Sequence, residues 1–400
     1  MTIKVPQILI PNDKIDLEKW SVVACDQFTS QPEYWSELET LVGEKYSTLK
    51  MIFPEVYLEK EDKKQRTSNI NNTMDKYLKE DIFKEVNDFV LVDRTQNDGM
   101  HRIGLMLSVD LEDYDYTPKN NALIKATEKT VVERLPARIE VREHASLEIP
   151  HIMLLMDDVN NVILKKLMDK KEKLEKLYDF DLNMNGGHLV GYRVDNSNEV
   201  LDELMSLLDN QKENKLLFVV GDGNHSLATA KECWNRVKAT LSEEERQNHP
   251  ARYALCELVN LRDQSLIFQP IHRVMFNCGK EFIEYMQNNI TGEEKTKMVY
   301  EGETYELNIS TSPSDAIADI QGTIDKYMKS HSDVNIDYVH NDDYTLKVAK
   351  ENHGVAIFMP TISKDSLFDY VSRRGVLPRK SFSMGHAEDK RYYMEAKKIK

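Results

Sequence analysis

An α/β fold of mixed α+β sheets is predicted by three features of the chain. Short apolar runs such as Ile152–Met156 and Leu216–Val220 read as buried strands, and they are interleaved with amphipathic helical patterns. The length of 400 residues exceeds what a single core usually organises and points to two or three packed parts. The composition, 40% apolar and 30% charged with only 15 Gly and 12 Pro, is that of a globular protein without long flexible linkers. The expected division is an N-terminal α/β region over 1–125, a central domain over 126–278 and a C-terminal α+β region with a basic tail over 279–400.

The elements follow in order. The start reads as a strand and a turn, then Trp20–Cys25 as a second strand ending in the loop Asp26-Gln27-Phe28-Thr29. Ser30 is the expected N-cap of a helix, with Pro32 in its first turn, Glu33 closing a capping box and Trp35, Leu38 and Leu41/Val42 as its buried stripe. Residues 60–87 are charged and helical in pattern, and Phe89–Arg94 with His101–Val109 form a hairpin across Asn97-Asp98-Gly99. Arg134, Arg138 and Arg142 stand at i, i+4, i+8; they form either a solvated, ion-paired face or, because Pro136 weakens a continuous helix, a loop presenting arginines inward. His151–Met156 reads as a strand, Val162–Tyr178 and Glu199–Leu208 as helices, and the Lys/Glu run from Lys165 to Lys176 as solvent-facing pairs. Leu216–Val220 is a central strand that passes through Gly221-Asp222-Gly223-Asn224-His225-Ser226 into the helix Leu227–Leu241. Ser242 caps a short helix, Arg252–Leu261 and Ser265–Gln269 look like paired strands, and Pro270-Ile271-His272-Arg273 closes the second of them. Residues 280–360 resemble a smaller α+β unit, and Arg373–Lys400 form a basic tail that either folds over the site as a lid or docks on the core.

A net charge of −15 argues against general affinity for nucleic acid or an anionic membrane, since both need clustered positive charge. The purest apolar runs are far shorter than a membrane span, and the N-terminus lacks the apolar core of a signal peptide, so a cytoplasmic location is expected. Cys25, Cys233, Cys256 and Cys278 have no zinc-like spacing and read as buried thiols, with Cys25 set apart by its place in a polar loop. His188, His225 and His272 are too scattered to suggest a zinc site, and Gly186-Gly187 reads as a plain turn.

The segment at 221–226 carries the clearest chemistry. A helix start offers unpaired N–H groups and the positive end of the helix dipole. Gly221 and Gly223 let an anion approach the backbone, Ser226 can cap the helix or bind a phosphate oxygen, and Lys231 lies one turn further on. A carboxylate such as Asp222 beside phosphates has to hold Mg²⁺ or act as a base, and His225 can donate to a phosphoryl group or move a proton. The competing reading is a tight turn in which Asp222 and Asn224 bond their own backbone.

Gly221–Ala230, with Pro270-Ile271-His272-Arg273, Pro378-Arg379-Lys380-Ser381, Ala126-Thr127-Glu128-Lys129-Thr130 and Ala24-Cys25-Asp26-Gln27, resembles the bacterial DUF1015 family along nearly the whole chain. The usual central motif there, Asp-Gly-His-His-Arg, is also the signature of free-serine kinases in the ParB/sulfiredoxin superfamily. The resemblance implies a ParB/sulfiredoxin-like central region with additional N- and C-terminal α+β parts. It also implies phosphoryl transfer between ATP or ADP and a small hydroxyl metabolite, serine or phosphoserine first. Asn224 stands where the motif has His and Ser226 where it has Arg, which removes a bidentate phosphate clamp. Lys231, Arg273 and Lys380 are the candidate replacements, His272 a further phosphate contact, and Glu128 and Asp26 the candidate general bases. A nucleotide-binding regulator and a nucleotide-independent phosphoester hydrolase are the alternatives. The oligomeric state is not legible.

Overall fold

A computed structural model describes residues 2–29, 31–58, 61–130, 135–209, 211 and 215–400. The architecture is mixed α+β. Two compact units emerge, and neither is continuous in sequence: one comprises Met1–Ala126, Thr130–Leu266 and Gly385–Lys400, the other Thr127–Lys129 and Ile267–Met384. This division differs from three consecutive parts. Among the described residues no helix is long and apolar enough to cross a membrane.

The larger unit is built on a mixed sheet. Its strands run in the order Glu175–Asp181, His188–Val194, Phe89–Thr95, His101–Asp110, Tyr253–Asn260, Met153–Met156, Phe218–Asp222, Ile124–Ala126 and Tyr114–Asp115, and Ile3–Lys4 pairs with the end of His101–Asp110. The expected hairpin forms, with Val90 opposite Met106 and Thr95 opposite His101. Phe218–Val220 are fully buried in the interior of the sheet, antiparallel to Met153–Met156 and parallel to Ile124–Ala126, as a short all-apolar strand requires. One face of the sheet packs Leu91, Leu105 and Leu154 against helix residues Leu164, Leu204, Leu227 and Trp234. The other face packs Val90, Val92 and Met106 against Ile8, Trp20, Met394 and Ala396.

Three expectations need correction. Trp20–Cys25 is not a strand: Leu17–Trp20 is a short helix, and the following residues run extended beside the C-terminal segment. Ala24 N–H donates to the Lys390 carbonyl at 2.7 Å and Tyr392 N–H to the Val22 carbonyl at 2.9 Å, which explains why an apolar run lies outside a sheet. Val162–Tyr178 is a helix only over Ile163–Met168, and Glu175–Asp181 is the edge strand. Glu175, Lys176, Asp179 and Asp181 are exposed along it, as charges that protect an open edge are. Arg252–Leu261 and Ser265–Gln269 are not paired: Tyr253–Asn260 lies in the large sheet, whereas Phe268–Phe276 belongs to the smaller unit. Pro270–Arg273 therefore sit inside a strand, not at its end.

Helix Pro32–Val42 buries Trp35, Leu38 and Val42 as its spacing predicts, with Gln31 at the N-cap; Ser30 lies outside the described residues. Ser242 forms the expected capping box with Glu245. In the smaller unit the strands Glu303–Ile309, Glu294–Tyr300, Val355–Ile357, Phe268–Phe276 and Asn335–His340 make an antiparallel sheet in that order, and Phe382–Met384 pairs with the start of Phe268–Phe276.

Candidate active site

Strand Phe218–Asp222 leads through Gly223 into helix Asn224–Lys238. Gly223 sits in the left-handed region, φ 80°, which only glycine adopts without strain. A Cβ at this position would also lie 3.0 Å from Ile152 Cα, a tight contact that adds to the preference for glycine. Asp222 Oδ1 accepts the N–H of the next residue, Gly223, at 2.8 Å, so the side chain bonds its own turn. Its Oδ2 lies 3.7 Å from Lys390 Nζ. Turn chemistry and an anion-ready helix start thus coexist in the same six residues.

Ser226, on the first turn of the helix, is bracketed by two side chains. Arg138 Nη1 donates to its Oγ at 3.2 Å, and His151 Nε2 lies 2.7 Å from the same oxygen. Arg138 Nη2 also donates to Glu55 Oε1 at 2.6 Å and to Asp26 Oδ2 at 3.4 Å. Arg138 and Arg142 thus face inward, but from a helix, Leu135–Glu143, not a loop, since Pro136 stands in its first turn; Arg142 pairs with buried Glu148, and Arg134 lies outside the described residues. A guanidinium thus meets the residue that stands in place of the motif arginine, and it comes from 88 residues upstream.

Four charges surround His151. Burial holds its imidazole below the usual pKa, Asp26 and Asp222 oppose this, and Arg138 and Lys390 reinforce it. Burial pushes the Asp26 carboxyl up, but His151, Arg138, the Gln27 amide and Lys390 together outweigh it and hold it well below the carboxylate range. Asp26 is thus a firmly ionised partner and a weak base. Cys25 is pushed up to about 11, chiefly by burial, with Arg138 pulling it down less than that; it is a neutral thiol. Tyr392 closes this side, its ring edge-on to His151 at 5.0 Å between centroids.

The remaining expected residues are engaged elsewhere. Lys231 does not reach back to the loop: its Nζ donates to the Leu111 carbonyl at 2.7 Å. Glu128, Lys380, His272 and Arg273 all belong to the smaller unit. There Glu128 accepts the backbone N–H groups of Lys380 and Ser381 at 3.1 and 2.9 Å, and burial raises its carboxyl pKa despite them. His272 is held by Asp342 at 2.9 Å and by the Met359 N–H at 3.0 Å. Arg273, fully buried, donates to Gln321 and to the Ile271 carbonyl and stacks on Tyr338. His225 accepts at its carbonyl from Thr229 Oγ1 at 2.7 Å. Gly186 and Gly187 close the turn at 183–185 before the strand His188–Val194, Gly186 N–H donating to the Asn183 carbonyl at 3.0 Å.

Sequence reading passed over His151 and Lys390. His151 was legible only as the start of an apolar strand, and Lys390 only as one charge in a basic tail. Tail residues 385–400 belong to the larger unit and are docked: Met394, Glu395 and Ala396 are almost fully buried. Among the described residues no group of three or more His, Cys, Asp or Glu side chains gathers as metal ligands. With one oxygen on a backbone N–H and the other beside an ammonium, Asp222 does not build a resident metal site.

No curated protein matches the chain. Among solved structures, a free-serine kinase mutant in complex with ADP aligns at TM-score 0.40 and 9% identity, covering 70% of this chain and 88% of that one. A conserved hypothetical protein from Pyrococcus furiosus aligns at TM-score 0.37 and 10% identity, covering 70% and 90%. SbnI from Staphylococcus aureus, with a C-terminal truncation, gives 0.37 and 10%, covering 70% and 83%. The profile of the family described as "protein of unknown function (DUF1015)" matches residues 9–333, four-fifths of the chain, and the chain belongs to that family.

Proposed function

We propose that the loop Gly221–Ser226 and the side chains around it bind the phosphates of a nucleotide and transfer a phosphoryl group to or from a small hydroxyl metabolite. ATP or ADP is the co-substrate and serine or phosphoserine the first metabolite to test. The observation that carries this reading is the bracketing of Ser226, on the first turn of a glycine-hinged helix, by Arg138 and His151. Phosphoryl transfer asks a protein mainly for positioning and for positive charge at the phosphate oxygens. The helix start, Arg138 and Lys390 offer that charge within one unit, and the motif resemblance supports the class of reaction. Gly223 supplies the left-handed turn that starts the helix, Gly221, Asn224 and His225 are further phosphate contacts, and Asp222 orients Lys390. Mg²⁺ enters as part of the nucleotide substrate, carried on its phosphates.

Phosphorus NMR on the pure protein with serine or phosphoserine, each with ATP or ADP, tests the reading. Nucleotide-dependent interconversion supports it. Free phosphate formed without nucleotide would instead make the protein a hydrolase, and binding without turnover across a metabolite panel a regulator. Asp222→Asn and His225→Ala are expected to abolish turnover while keeping the thermal midpoint; unfolding of both variants would make the loop structural.

A further inference from the structure

A serine hydroxyl carries one hydrogen and two lone pairs, and a guanidinium can only donate. Arg138 therefore occupies a lone pair of Ser226 Oγ, leaving the hydroxyl hydrogen to be shared with His151 Nε2 at 2.7 Å. Burial keeps that imidazole neutral near pH 7, so it can accept. Ser226 is not spent as a cap, since the N-cap is Gly223 and no side chain caps the helix. Asp26, ionised, pairs with Arg138 at 3.4 Å, and its charge acts on His151, so a carboxylate accompanies the serine and its base as in unrelated enzymes that activate serine.

We propose that Ser226 is a nucleophile that becomes phosphorylated, with His151 as its base; this rests on the phosphotransferase reading and sharpens it. Ser226 Oγ bonds to the terminal phosphorus as the bond to the leaving nucleotide oxygen breaks. That oxygen keeps the electron pair, and the serine proton passes to His151 Nε2. The imidazolium releases this proton to solvent as the nucleotide departs. His151 next takes the proton of the acceptor hydroxyl while its oxygen bonds to phosphorus, and returns it to Ser226 Oγ as the phosphoserine bond breaks. The positive end of the helix and Arg138 stabilise the charge that develops on Oγ.

The test uses the intact chain with terminal-phosphate-labelled ATP and, separately, ADP, without acceptor. The sample is acid-quenched, and peptide mass spectrometry locates any acid-stable phosphate. Up to one phosphate per chain at Ser226 is expected, discharged on adding serine, and absent from Ser226→Ala. His151→Gln is expected to slow labelling by about 100-fold or more. Transfer to serine by the wild type with no labelled enzyme, or Ser226→Ala transferring within about tenfold of wild type, overturns the covalent step and leaves the phosphotransferase reading standing. Neither label nor transfer with either nucleotide sinks both. The wild-type peptide map decides the matter even if Ser226→Ala fails to fold.

Discussion

Gly104 offers a sharp test of how the larger unit is held together. It lies on strand His101–Asp110, two residues from Arg102, and the side chain of Glu257 crosses it to reach Arg102 Nη2 at 2.8 Å. Both ionic side chains are almost completely buried, at 5% and 1% exposure. A Cβ at position 104 would stand 2.2 Å from Glu257 Oε1 and 2.6 Å from its Cγ, so the carboxylate cannot stay where it is. Breaking a buried pair costs about 3–5 kcal/mol, because two charges are left without partners. The lower chain entropy of alanine in the unfolded state offsets about 0.4–1 kcal/mol of that. Gly104→Ala is therefore expected to destabilise the unit by roughly 2–4 kcal/mol, a fall in melting temperature on the order of 5–10 °C. Calorimetry and urea titration read it directly. In a double-mutant cycle, Gly104→Ala in the Glu257→Ala background should add little. A single variant with wild-type stability, or a double variant in which the two losses simply sum, would refute the argument.

Further expectations concern pH, charge and helix propensity. Burial lifts the Glu395 carboxyl to about 7 even though Tyr178 donates to it at 2.7 Å. A carboxyl with a raised native pKa favours the fold when protonated, so stability is fullest below the unfolded value, falls as pH rises through about 7 and is level above. Glu395→Gln should flatten that limb and raise stability at pH 8 by about 1–3 kcal/mol; an unchanged pH profile in urea titrations would count against it. Arg138→Met removes the donor shared by Ser226, Asp26 and Glu55 and should lower kcat/KM by about 100-fold or more, with a smaller loss in stability because all three partners are partly solvated. Equal losses in both would make Arg138 structural. Gly322 lies inside helix Pro313–Ser330 with open space where a Cβ would go, so Gly322→Ala should stabilise the smaller unit by about 0.5–1 kcal/mol, readable as a rise in urea midpoint.

What the sequence disclosed and what it hid divide along contact distance. The hairpin Phe89–Asp110, the strand into helix at 218–238 and the capping box at Ser242 depend on neighbours a few residues away, and their patterns are local. The glycine-hinged loop was legible for the same reason. The partners of Arg138, His151 and Lys390 were not, because each lies 75 residues or more away in the chain, and a single sequence carries no sign of that pairing. Lys231 shows the converse error: helical spacing placed it near the loop, but a carbonyl 120 residues upstream holds it. The edge strand Glu175–Asp181 misled for another reason: its exposed charges continue the Lys/Glu run of the preceding helix, so the two elements read as one charged face.

The discontinuity of the larger unit bears on how the protein comes into being. Ser21 and Tyr392, bonded through Ser21 Oγ and the Tyr392 carbonyl, are 371 residues apart, and the whole of Ile267–Met384 is made between the sheet and the segment that closes over it. On a ribosome the sheet must wait, one face lacking Met394, Ala396 and the groups they cover, while another unit is translated and can fold first. Closing so long a loop is slow, although its entropic cost grows only logarithmically with length. Lys390 and Tyr392 reach His151 and Asp222 in that final step, so a nascent chain remains without a finished site until its folding is nearly complete.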